Sequence, residues 1–136
     1  MSVIAIAQKN NIQDQVIGDS GILFEDSIIS VSYEKVNCFP NIGFDQEVLI
    51  LTFINRSPEK IKLSWQPNLY YNGICKTCEY PEEYTFELEL LSNAIQTGNC
   101  DFFDQRFVVF SKFIDAAYKG NAQLTRISIE NLTIQK

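Results

Sequence analysis

The residues of this chain best suited to covalent chemistry are its four cysteines, Cys38, Cys75, Cys78 and Cys100. Cys75-Lys76-Thr77-Cys78 has the C-x-x-C spacing, which serves a disulfide, a zinc site or a thiol–disulfide couple. Zinc ribbons bring two such close pairs, and this chain has one. An even cysteine count in a small β-rich chain favours disulfides and an oxidising compartment. Of the three full pairings, the spacing favours Cys75–Cys78 as a tight loop and Cys38–Cys100 as a long staple; zinc and free redox thiols stand as the alternatives. The staple would close about 60 residues and stabilise by roughly 4 kcal/mol in the chain-entropy model. Redox C-x-x-C pairs usually open a helix that lowers the first thiol's pKa. Here Asn72-Gly73 precedes the pair and Tyr80-Pro81 follows it, which reads as loop.

Carboxylates offer the second chemistry. Glu79, Glu82 and Glu83 lie close together, but a working acid–base pair must face one cleft with separated pKa values. Asp101 and Asp104 flank Phe102-Phe103 and give a weak calcium pattern, without a recognisable loop motif. No metal and no cofactor is expected. Histidine is absent from the 136 residues, which removes the commonest general base and metal ligand. The net charge of -6 leaves no positive field for phosphates, so nucleic acid is not an expected partner.

Aromatic residues suggest binding instead. Tyr70 and Tyr71, with Glu79, lie in the irregular 67–81 stretch and would face a protein or a sugar. Trp65 shares the phase of Ile61 and Leu63 and reads as core. Asn55-Arg56-Ser57 and Asn131-Leu132-Thr133 match the short N-glycosylation pattern.

The elements that must position these residues are strands. Ile29, Val31 and Tyr33 alternate with Ser30, Ser32 and Glu34. Val48 to Ile54 is nearly all apolar and suits a central strand covered on both faces. Ile61, Leu63 and Trp65 alternate with Lys60, Lys62 and Ser64, and the turn Asn55-Arg56-Ser57-Pro58 predicts a hairpin with the preceding strand. Tyr84 to Leu90 alternates strictly, and Phe107 to Ile114 forms a further strand. Residues 115–121 suit a short helical turn. In Leu124 to Ile134 the apolar phase changes, which predicts a bulge near Glu130–Asn131. About seven antiparallel strands at this spacing predict an all-β, immunoglobulin-like β-sandwich. Residues 21–136 form its single domain. Residues 1–20 read as a signal-peptide remnant, with Ala5-Ile6-Ala7 as a cleavage pattern, followed by a flexible arm. No run is apolar and long enough for a membrane span.

Several segments in one order resemble small exported proteins of Bacteroidota: Leu51-Thr52-Phe53-Ile54-Asn55-Arg56-Ser57, Ile61 to Trp65, Tyr71-Asn72-Gly73, the C-x-x-C, Gly98-Asn99-Cys100 and Phe110-Ser111-Lys112-Phe113. The resemblance implies export and a sandwich, and no catalytic residues. Asp26-Ser27-Ile28 resembles the short O-glycosylation motif of such proteins, with Ser27 as acceptor. The expected function is a non-enzymatic exported binding or accessory module of the cell envelope, in the periplasm, on the outer-membrane surface or secreted. It would act through sheet edges or the 67–81 loop on a protein partner or a glycan. The alternative is a thiol–disulfide or carboxylate-dependent enzyme.

Overall fold

The computed structural model describes residues 3–5, 17–38, 45–114 and 122–136. Among these residues there is no helix, and two antiparallel sheets face each other as a β-sandwich. The first sheet contains β1 (Val3–Ala5), β5 (Ile61–Tyr71), β6 (Ile74–Cys75), β7 (Phe86–Leu90) and β10 (Leu124–Gln135). The second contains β2 (Ser20–Glu25), β3 (Ile29–Cys38), β4 (Gln46–Asn55), β8 (Ile95–Thr97) and β9 (Val108–Phe113). Strands β2, β3 and β4 stay together before the chain crosses to the other sheet, whereas the immunoglobulin arrangement crosses after two strands.

The core forms where the inward phases of both sheets meet. Leu49, Leu51 and Phe53 of β4 oppose Ile61, Leu63 and Trp65 of β5, all buried. The Phe53 and Trp65 rings lie 4.9 Å apart, and Phe107 meets Phe53 edge-on at 5.7 Å. Such ring pairs add about 0.5–1.5 kcal/mol beyond their area burial.

Two expectations about β4 change. The predicted hairpin of β4 and β5 does not form; the 56–60 connection instead carries the chain from one sheet to the other. Phe53 and Trp65 both point inward, and an arch lets them stack across the sandwich where a hairpin would place them side by side. Buried Asn55 organises this arch. Its Nδ2 donates to the carbonyls of Glu59 (2.8 Å), Leu91 (2.9 Å) and Leu90 (3.2 Å), and its Oδ1 accepts the Ser57 N–H (2.9 Å). The second change concerns β4. It is central in its sheet, paired on both edges. One face is core, while Ile50, Thr52 and Ile54 on the other are only half-buried, because no third layer covers that side.

The phase change in β10 is a bulge, as expected. The register with β5 shifts between Glu130 and Thr133, and Asn131 takes a positive φ of 53°. Ile127, Ile129, Leu132 and Ile134 are thereby all buried. The 67–81 stretch is not irregular throughout: β5 runs on through Pro67 to Tyr71, its far edge held by β10. Strands β2, β6 and β8 have no counterpart among the predicted ones. All three are short or carry polar residues, so alternation does not reveal them. The predicted helical turn at 115–121 lies outside the described residues. So do Ile6 and Ala7 of the cleavage pattern, while Val3–Ala5 pairs with β10 opposite Gln135–Thr133.

Candidate functional site

Pro67 opens the side of the sandwich. In β5 the register with β7 runs from Ile61 opposite Leu90 to Trp65 opposite Phe86. Pro67 would pair next, with Tyr84, but a proline nitrogen has no hydrogen to donate. Strand β7 therefore begins only at Phe86. Further along the same edge, Asn72 (φ 52°) and Gly73 (φ 83°) turn the chain back as β6, opposite Tyr70 and Tyr71. Asn-Gly is the pair such a left-handed hairpin turn favours.

Thr77 fills the gap between β7 and β6. Its Oγ1 accepts the Leu69 N–H at 3.0 Å and donates to the Pro67 carbonyl at 2.8 Å. The Lys76 N–H reaches the Leu69 carbonyl at 2.8 Å. A side chain thus stands in for a strand. The Cys75–Cys78 disulfide closes this turn with Cα atoms 5.7 Å apart.

Across the gap lies the 98–107 connection of the second sheet, tied to β3 by the Cys38–Cys100 disulfide. Gly98 comes so close to Phe107 that a Cβ would sit 2.7 Å from its carbonyl oxygen. Arg106 holds this connection in shape. Its Nη2 meets Asp104 Oδ2 at 2.7 Å and its Nη1 donates to the Glu87 carbonyl of β7 at 3.1 Å. The hydrogen bonds and charge of Arg106 hold the Asp104 carboxyl below its ordinary range.

Between these walls is an apolar cleft of about 290 Å³. Trp65, Ile127 and Ile129 form its floor, Leu69, Tyr84 and Phe86 one wall, and Val108, Val109 and Phe110 the other. Phe103, 44 % exposed, and Gln105 stand at the mouth. Exposed Phe102 and Tyr80 flank the same two connections.

The predicted site residues separate. Tyr70 and Tyr71 are half-buried, each packed against a residue of another strand. The Arg126 guanidinium lies over the Tyr70 ring, 4.8 Å from its centre. The Tyr71 ring stacks on Phe110, and its hydroxyl donates to the Phe110 carbonyl at 2.6 Å. Glu79, Glu82 and Glu83 are exposed in the loop that follows Cys78. Asp104 uses both carboxylate oxygens on Arg106. Among the described residues, no three His, Cys, Asp or Glu side chains gather as a metal site. Ser27 is exposed at the tip of the β2–β3 turn, where Asp26 Oδ1 accepts the N–H groups of Ile28 (2.7 Å) and Ile29 (2.8 Å). Asn55 is buried with its amide fully used, so it offers no nitrogen to a glycan. Exposed Asn131 donates its Nδ2 to Gln66 Oε1 at 2.6 Å. The cleft itself is not legible in the sequence; its one local sign is a proline inside an alternating strand.

Burial, and next to it the charge of Tyr84, pushes the Tyr71 hydroxyl up to about 12. The folded chain holds this proton more tightly than the unfolded chain. The linked stability is intact below the ordinary tyrosine value of about 10 and is lost as pH rises toward 12, amounting to about 2–3 kcal/mol. Denaturant midpoints measured at increasing alkaline pH will fall in this window, and Tyr71→Phe will flatten that part of the slope. An equal slope in the variant would refute the assignment.

The fold and site define a disulfide-framed β-sandwich with a lateral apolar cleft. No protein-family model matches the chain, and no curated protein or solved structure is significantly similar to it. No helix of the described residues is long and apolar enough to cross a membrane.

Proposed function

We propose that this chain is a non-enzymatic exported binding module of the cell envelope. It takes a large apolar side chain of a protein partner into the cleft beside the 67–81 segment. The observation that carries this reading is an apolar, aromatic-lined cleft opening at a break in a sheet edge. A protein segment docked across the mouth of the cleft would place such a side chain in it, without needing the β5 edge that Thr77 occupies. Phe103 at the mouth is exposed, and Phe102 and Tyr80, on the two connections that border the cleft, are exposed as well. The apolar lining disfavours a glycan, whose hydroxyls would lose their hydrogen bonds with water.

Two disulfides support an oxidising compartment, and hence the periplasm, the outer-membrane surface or the medium. The lack of histidine and the exposed, ungathered glutamates favour binding over catalysis.

Trp65, the single tryptophan, lies on the cleft floor, so its emission reports occupancy. A neutral apolar probe, N-phenylnaphthylamine, should bind and quench Trp65 by energy transfer. Leu69→Glu, which places a charge at the half-buried wall, should lower the probe's affinity at least about tenfold. The same substitution should remove a partner captured from envelope extract by the parent chain. Equal quenching, or an identical set of captured proteins, would refute the reading.

A further inference from the structure

We propose that the Cys75–Cys78 disulfide is a thiol-exchange site that latches the cleft edge, with Cys78 as the sulfur attacked. The latch function rests on the reading of the cleft as the binding site; the exchange chemistry does not.

The two disulfides differ in access. Cys38 is fully buried and Cys100 half-buried, whereas Cys78 is exposed and Cys75 half-buried. Exchange requires an incoming thiolate to reach one sulfur and the other to leave. Cys78 is the exposed residue of the pair, so its sulfur is the one assigned to the incoming thiolate. Cys75 Sγ is the one prepared to leave, because it accepts the Cys78 N–H at 3.2 Å. Accessibility and leaving-group stabilisation therefore select the same direction.

The step balances without a metal or cofactor. A partner thiolate forms a bond to Cys78 Sγ, the Cys75–Cys78 bond breaks, and its electron pair stays on Cys75 as thiolate. A second thiol of the same class then attacks the partner sulfur, releases Cys78 as thiolate and leaves the two partner thiols joined as a disulfide. Two electrons pass to this chain. Glu79 adjoins Cys78, and Glu82 and Glu83 follow closely, against the single ammonium of Lys76 in that stretch. Cationic or neutral thiols are therefore better substrates than anionic ones.

The consequence falls on the cleft because Thr77 lies between the two cysteines. Its hydroxyl occupies the Leu69 N–H and the Pro67 carbonyl, the groups an added strand would use. Opening the ring removes the closure that holds Thr77 against β5. The edge beside the cleft then becomes available to an extended segment. This is a stoichiometric switch rather than a catalyst.

The test uses the full oxidised chain treated with limiting cysteamine (cationic) or glutathione (anionic), followed by iodoacetamide and peptide mass spectrometry. The expected result is a cysteamine adduct on Cys78, then alkylated Cys75 and Cys78, with Cys38–Cys100 intact and glutathione slower. Opening of Cys38–Cys100 first, or an adduct on Cys75, would overturn the exchange site. Hydrogen exchange of the Leu69 amide should accelerate about tenfold on reduction, with β4 amides unchanged. Thr77→Val should give the same fast exchange with the disulfide closed; Cys75→Ser with Cys78→Ser serves if that variant does not fold. Unchanged Leu69 protection in the reduced chain would sink the latch. If N-phenylnaphthylamine binds in neither redox state, the cleft reading fails, while the adduct position and Leu69 protection still decide this one.

Discussion

Replacing Cys38 and Cys100 together by alanine is expected to lower stability by about 4 kcal/mol. The bridge spans 62 residues in sequence, so its loss returns a large conformational freedom to the unfolded chain. The native state is also affected. Cys38 ends β3 and is fully buried, and Cys100 lies between β8 and β9. Strand β3 and the β8/β9 pair border β4 on opposite edges, so the bridge joins both sides of the central strand. Urea unfolding is the measurement. The midpoint should fall, and the slope with denaturant should rise as the unfolded chain loses its cross-link and expands. The 98–107 connection should also loosen, and with it Phe103 at the cleft mouth. Removing Cys75–Cys78, a separation of 3, should cost less than about 2 kcal/mol because it closes so short a loop. Equal losses for the two bridges would contradict the loop-entropy account.

Asn55→Ala is expected to cost about 3–5 kcal/mol, an effect of the same order. The residue is 0 % exposed. Its side chain meets three carbonyls and one N–H at the arch between the sheets. Alanine leaves these groups without that partner where water has poor access, and each orphaned group costs about 1–3 kcal/mol. Asn55→Asp tests the direction of the bonds. It keeps the shape and the acceptor for Ser57 but loses the N–H donors and brings a carboxylate toward three carbonyl oxygens. It should be at least as damaging at neutral pH, and milder in acid, where a protonated carboxyl donates one bond. Near-ultraviolet circular dichroism on heating reads both variants. A loss under about 1 kcal/mol for alanine would show that the arch does not depend on this amide.

The phase of most long strands is legible in the residue pattern alone. Ile29, Val31 and Tyr33, then Ile61, Leu63 and Trp65, then Leu88 and Leu90, are buried as their alternation requires, because a strand's side chains have a period of two wherever it sits. The bulge in β10 is legible for the same reason. Two apolar pairs of opposite phase leave no other way to bury both.

Partnership is not legible in that way. The same inward phase of β4 and β5 suits a hairpin or an arch, and the choice rests on Asn55 meeting Leu90 and Leu91, some 35 residues away. The aromatic candidates moved for a related reason. Tyr70 and Tyr71 lie in a stretch that reads as irregular in sequence, but they sit on β5, and Arg126 and Phe110 arrive from distant strands to pack against one ring each.

The cysteines belong to both levels. Their number, their spacing and the single C-x-x-C are properties of the sequence, and so is the argument for an oxidising compartment. Tertiary structure alone decides that one bridge reaches into the core through Cys38 and the other lies at an edge with Cys78 exposed. It alone sets Thr77 into the gap that Pro67 leaves beside β7. Alternation, turns and spacing are local and can be read along the chain. The cleft is made by two connections from different sheets, and only the folded packing brings them together.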